Sequence, residues 1–374
     1  MEPLAPHEKI LVDSKILEDE NHGEIACVDC HGGNPDDPNW KTAHEGVIKD
    51  PTYPDATEAC GDCHDEINEN YTKSLHVSLK PFTLIIDKRA NPDAVIRSKV
   101  ERAMNNHCYG CHSSCGQCHI SRPNVVGGGL LDAHLFQRKP PMQEVCTACH
   151  GSRIQREYFG EEEGALPSVH REKDIKCEKC HTGEEMHGDG KDYANRYEVE
   201  NGPKCVDCHK EIYDREAKNV ITHRIHKDKA SCHVCHAQPY KNCSACHVGK
   251  DRSGLTFCKT EASRIDFKIG INPLKSENRP EEFVTLRHVP VDRGTFDSYV
   301  KDGLSNFDTL PTWKLATPHN IRRNTPQNSR CNACHGNESL FLREKDVEDN
   351  EKEANKGVVV PVNLIPRKQK WQPK

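Results

Sequence analysis

The pentapeptide Cys-x-x-Cys-His occurs ten times in this chain, and no other feature constrains its folding as strongly. Shuffling the same composition would give roughly 0.07 copies, so the repetition is not chance. The cysteine pairs are Cys27 and Cys30, Cys60 and Cys63, Cys108 and Cys111, Cys115 and Cys118, and Cys146 and Cys149. They continue with Cys177 and Cys180, Cys205 and Cys208, Cys232 and Cys235, Cys243 and Cys246, and Cys331 and Cys334. The histidines that close the motifs are His31, His64, His112, His119, His150, His181, His209, His236, His247 and His335. On one helical turn, positions i, i+3 and i+4 share a face, so two thiols and an imidazole meet one flat group. Thioether attachment of a porphyrin's two vinyl groups, with the histidine on iron, uses all three side chains. The expected cofactor is therefore haem c, covalently attached, in about ten copies.

Composition agrees with a cofactor interior. Apolar residues make up 34% of the 374, aromatics only 6%, and the mean hydropathy is -0.83. A chain of this length ordinarily builds two or three apolar cores, and here haem discs are expected to supply much of that buried surface. The expected fold is mostly irregular, with short α-helices around a haem core and a small β element in the haem-poor stretch of about 251–330. The formal charge is -6, with Lys and Arg scattered, which leaves no electrostatic footprint for nucleic acid. Haem propionates would make the loaded protein more acidic still. No apolar run approaches the roughly 20 residues needed to span a bilayer. Met1 to Glu20 lacks the short apolar stretch of a secretory signal, so the numbering is expected to start near a mature N-terminus.

Two other readings of the cysteines compete. Paired Cys-x-x-Cys knuckles hold zinc through four thiolates, but this leaves the histidine after every second cysteine unexplained. Structural disulfides also waste ten histidines and strand one cysteine. That cysteine is Cys258, read as a buried free thiol in preference to a reactive one.

Of 23 histidines, ten are proximal, leaving 13 for the opposite face of iron. Only four methionines exist, so His/Met ligation cannot be general, and low-potential bis-histidine haems are expected. The ten candidate distal ligands are His22, His44, His76, His134, His170, His187, His223, His226, His288 and His319. His223 and His226 lie three apart in Ile-Thr-His-Arg-Ile-His, so on a helix they share a face and reach two adjacent irons. His107 and His233 adjoin or lie within motifs and are suited only to capping another haem, and His7 sits near the terminus.

Motif density divides the chain into three expected regions: 1–100 with two haems, 101–250 with seven, and 251–374 with one haem, the β element and an extended tail. Ser113 and Ser114 alone separate His112 from Cys115, so two porphyrins lie close there, and Cys232 and Cys243 start a second tight pair. A helix is expected around Asp65 to Lys80. Ile265, Phe267, Ile269 and Ile271 alternate as in a half-buried strand, which with Glu282 to Val291 would deliver His288 to a haem. Glu344 to Lys356 reads as a solvated linker of mixed charge, and Val358 to Pro366 as an extended apolar tail anchored on the chain's own body.

The ten motifs, together with Ser-Cys-His-Val-Cys-His-Ala-Gln-Pro-Tyr-Lys-Asn-Cys-Ser-Ala-Cys-His, resemble the periplasmic or extracellular multihaem c-type cytochromes of respiratory electron export. The resemblance spans residues 27 to 335. It implies export, bis-histidine ligation and a continuous chain of haems serving redox partner proteins or an extracellular acceptor. Some relatives polymerise into filaments, with one subunit supplying a distal histidine to the next, which His7 or His22 would do here. Others reduce nitrogen or sulfur oxyanions at an open or lysine-bound haem, but no motif here ends in lysine. The expectation is an electron conduit rather than an enzyme, with a homopolymer and an oxyanion reductase as the alternatives.

Overall fold

The computed structural model describes residues 4–111, 113–243, 247–250, 252–259 and 264–370, without the side chains of 247, 248 and 256–259. The fold is mostly irregular, with short helices and a few small strands. The longest helix among the described residues is Ala94–His107, followed by Lys80–Arg89 and Asp65–Thr72. Most others are single turns that coincide with motifs, such as Cys27–His31, Cys115–His119 and Cys232–His236. Local capping explains where these turns start. The Ser114 hydroxyl accepts from the Gln117 N–H at 3.3 Å. Asp29 and Asp207, inside their motifs, accept from the N–H groups of Ala26 and Lys204 at 3.1 and 2.9 Å.

The expected helix over Asp65 to Lys80 is interrupted. It stops at Thr72, restarts as Leu75–Ser78 and breaks at Leu79, whose backbone is left-handed. Ser74 is extended, with ψ of 157°, and its carbonyl takes the Ser78 N–H as an N-cap carbonyl does.

Chain contacts define two compact units. The first comprises 1–81, 108–151 and 177–201, and the second 82–107, 152–176 and 202–374. Six motifs fall in the first and four in the second, so the motif-dense stretch of 101–250 contributes to both.

In the first unit, Ala56, Leu79 and Val145 are the only buried apolar side chains among the described residues. Full burial of a large apolar side chain contributes about 1.5–3 kcal/mol, so three cannot order a unit of about 150 residues. Its remaining contacts are polar, as where the Thr52 hydroxyl meets Ser114 at 2.9 Å and accepts from the Gly116 N–H at 3.1 Å.

The second unit has an apolar core of its own and holds all the strands. These are β1 (Tyr240–Lys241), β2 (His247–Lys250), β3 (Thr256–Lys259), β4 (Ile265–Asp266), β5 (Lys268–Ile271), β6 (Phe283–His288) and β7 (Trp313–Leu315). They form antiparallel sheets β1-β4, β2-β3 and β5-β6-β7. The strand expected from Ile265 to Ile271 is thus broken at Phe267, and its second half pairs with the segment that was expected to join it. Phe267 and Ile269 enter one core cluster with Tyr240, Phe341 and Val360, while Leu286 and Trp313 enter a neighbouring one with Leu342 and Val358.

The charged run Glu344 to Lys356 is not a solvated linker. It folds into short turns whose Val347, Glu351 and Asn355 are buried. The Asn355 carboxamide accepts from the N–H groups of Thr312 and Trp313 at 3.1 and 2.9 Å and donates to the Glu351 carbonyl at 2.8 Å. The tail beyond it is anchored as expected. The Val358 carbonyl accepts from Ile271 N–H at 3.0 Å, Val360 N–H donates to Leu342 at 2.8 Å, and the Pro366 carbonyl accepts from Gly336 N–H at 2.7 Å.

Asn355→Ala should leave two buried N–H groups unpaired and lower the stability of the second unit by about 2–4 kcal/mol. A denaturant midpoint followed by circular dichroism, with haem content as a control, measures it.

Candidate haem-ligand sites

Several motifs present their histidine at the end of a single helical turn, as in Cys27–His31, Cys115–His119 and Cys232–His236, and six motif histidines among the described residues face a histidine from elsewhere in the same unit. In the first unit His64 faces His22 with ring centroids 6.4 Å apart, His31 faces His134 at 5.8 Å, and His119 faces His187 at 6.0 Å. In the second, His209 faces His170 at 6.2 Å, His236 faces His223 at 6.3 Å, and His335 faces His226 at 6.0 Å. A metal–imidazole bond is about 2 Å long, and a ring centre lies about 1 Å beyond its nitrogen, so two imidazoles on one metal have centres about 6 Å apart. Rings in van der Waals stacking sit closer, as His22 does on Phe136 at 3.9 Å. Edge-on aromatic contacts reach the same range, as His107 with Tyr299 at 5.6 Å, so the spacing accommodates an iron between each pair, and the motif histidine in each is what assigns one.

The proton positions fit as well. A carbonyl only accepts, so an imidazole Nδ1 beside one carries the proton and leaves its lone pair on Nε2. Such contacts join His31 to Ile48 at 2.7 Å, His44 to Trp40 at 2.6 Å and His119 to Gln137 at 2.7 Å. They also join His226 to Thr222 at 2.8 Å and His236 to Arg322 at 3.1 Å, whereas Nδ1 of His335 lies between the Arg367 carbonyl at 3.3 Å and the Gln369 side-chain amide nitrogen at 3.0 Å. His22 and His181 direct Nδ1 instead to the carboxylates of Asp19 and Glu185, at 3.2 and 2.9 Å. This is the outer support that metal-ligating histidines ordinarily have.

Burial first, and the facing imidazole second, hold His134, His170, His187 and His223 below the ordinary histidine range. His76, pushed down by burial, lies close enough to Glu185 and His181 for their charges to act on it. His181 itself is raised, chiefly by its bond to Glu185.

Two histidines use the opposite nitrogen. Nε2 of His288 lies 2.9 Å from a Glu351 oxygen while its ring stacks on Trp313 at 4.8 Å, and Nε2 of His107 meets the Tyr299 hydroxyl at 2.9 Å. The end of β6 thus carries His288 to Trp313 and Glu351. The backbone N–H of His319 donates to the buried Glu157 at 2.9 Å. His44 and His150 are exposed. Cys246, His112 and the side chains of His247 and Cys258 lie outside the described residues.

The nineteen described motif cysteines are all free thiols, which agrees with their being available for attachment and not paired as disulfides. Thiols of different motifs touch. Cys60 meets Cys115, Cys111 meets Cys149, Cys146 meets Cys177, and Cys205 meets Cys232, each pair in hydrogen-bond contact. Tyr71 adds a fixed element beside one ring pair, with its edge toward His187 and its hydroxyl on Ser113 at 2.8 Å. Sequence reasoning missed Asp19, Glu185 and Tyr71. The two carboxylates carried a local signal, three residues before His22 and four after His181, whereas the backbone acceptors carry none.

The family model described as cytochrome c554 and c-prime matches residues 59–151 and 184–237, which include six of the ten motifs. With the site geometry, this match supports a c-type cytochrome that holds haem c covalently and transfers electrons. No curated protein and no solved structure matches the chain. No helix among the described residues is long and apolar enough to cross a membrane.

His223→Ala should remove the ring opposite His236 while leaving the thioethers of Cys232 and Cys235 in place. One haem then turns high-spin in the ferric visible spectrum with haem content unchanged; a fully low-spin spectrum would refute this pairing.

Proposed function

We propose that the chain binds ten haems c, one at each motif, and conducts electrons along them as an exported carrier between redox partners, without catalysing a substrate reaction. The observation that carries this reading is the set of six facing histidine pairs spaced for iron. Bound haem c supplies a one-electron redox centre at each motif.

The chain's own residues do the rest. Two cysteines would tether each group, and at the six paired motifs the imidazoles would occupy both axial faces and leave no coordination position for a substrate. Nδ1 partners hold His22, His31, His119, His226 and His236 in one tautomer and orientation, so little reorganisation would accompany a change of charge at an iron there. Touching thiols bring attachment points of different motifs together. In the first unit they connect the motifs ending at His64 and His119, those ending at His112 and His150, and those ending at His150 and His181. In the second they connect the motifs ending at His209 and His236. Electron transfer falls steeply with distance, so such adjacency suits conduction. The acidic surface, made more so by propionates, fits basic redox partners or a mineral acceptor.

The purified, boiled protein should retain haem stain on a denaturing gel, and its mass should exceed the 42.2 kDa polypeptide by about ten haems. Reduced-minus-oxidised spectra at low potential should show low-spin haem throughout. Colourless material, or a zinc-dominated metal content, would overturn the proposal.

A further inference from the structure

We propose that Glu185 and Asp19 are positioning residues that lower the potentials of two particular haems, the one held by His181 and the one held between His64 and His22, with Glu185 acting more strongly. The inference rests on the haem reading above and goes beyond it by ranking sites within one chain.

Axial histidines with an engaged Nδ1 fall into two classes here. Four of them, His31, His119, His226 and His236, donate to neutral backbone carbonyls. His181 and His22 donate to carboxylates. A carboxylate draws the Nδ1 proton toward itself and leaves more electron density on the ring, so Nε2 becomes a stronger donor to iron. Ferric iron carries one more positive charge than ferrous iron, so a stronger donor and a nearby negative charge both favour the oxidised state. The one-electron reduction of that haem then requires a lower potential, with no change in what is bonded.

Local structure separates the two carboxylates. The Glu185 side chain is 15% exposed and the helix Gly183–His187 fixes its position, because Thr182 caps that helix by accepting from the Glu185 N–H at 3.4 Å. Its Oε2 receives the His181 Nδ1 at 2.9 Å, with half-buried His76 close by. The Asp19 oxygen that receives His22 at 3.2 Å is shared with the backbone N–H groups of Asn21 and His22, at 2.9 and 2.8 Å. Two further donors take up part of its charge, and the longer bond polarises the ring less. Glu351 provides an internal contrast, because it binds His288 through Nε2, the atom that His181 and His22 leave free by using Nδ1.

The test is a spectroelectrochemical titration of the full haem-loaded chain, with haem content and ferric spin state measured on the same samples. Glu185→Gln keeps an acceptor of the same reach without the charge. It should shift one single-haem component to higher potential and leave the others, the haem content and the low-spin spectrum unchanged. Asp19→Asn should shift one different component by a smaller amount, Glu351→Gln should shift none, and Glu185→Asp should restore most of the original curve. Superimposable curves for Glu185→Gln and the wild type, at full haem content, would overturn the proposal. Loss of haem or a high-spin signal in both Glu185→Gln and Asp19→Asn would also overturn it, by showing that these carboxylates hold the fold instead of the potential. Failure of the underlying haem reading would be visible separately, as a wild-type protein without low-spin haem.

Discussion

Two imidazoles facing each other across a gap of about 6 Å organise this molecule. Each pair joins a motif histidine to a ring that is distant in sequence, as when His31 meets His134 and His119 meets His187. A bond through iron would join segments that share few apolar contacts. That matters most in the first unit, where three buried apolar side chains stand against six motifs. In that unit axial ligation would take the place of a hydrophobic core and would couple folding to cofactor loading. The second unit differs, since its sheet and the clusters around Ile269 and Leu286 bury side chains in the ordinary way.

The motif cysteines and histidines were legible because their spacing is local and its chemistry specific. The β element was legible because alternation along Ile265 to Ile271 marks one buried face. The pair His223 and His226 was legible too, since the helix Val220–His226 presents both on one side, toward His236 and His335. Pairings such as His22 with His64 leave no pattern, because they depend on how irregular loops close. The run from Glu344 to Lys356 was misleading for a related reason. Its charge pattern is that of a linker, but Asn355 and Glu351 turn inward to satisfy backbone N–H groups and a histidine that come from far along the chain.

The choice of histidine nitrogen follows from the same economy. One ring offers two nitrogens, and whichever meets a carbonyl or carboxylate fixes the proton there and frees the other. Histidines on Nδ1 acceptors present Nε2, the less crowded atom, into the space between facing rings. His107 and His288 spend Nε2 on Tyr299 and Glu351, so the structure sorts histidines that the sequence alone treats alike.

Contact between thiols of different motifs adds the last constraint. Cys111 meets Cys149, and Cys146 of that same motif meets Cys177, so the motif ending at His150 adjoins two others through its two cysteines. A tethered group there is bounded on two sides by tethers of its neighbours. The position of that site would then be set by its own covalent attachment and by the adjacent attachments together. Such a body tolerates irregular backbone because its rigid parts are the rings it holds, and the same rings that order the chain are those through which charge would pass.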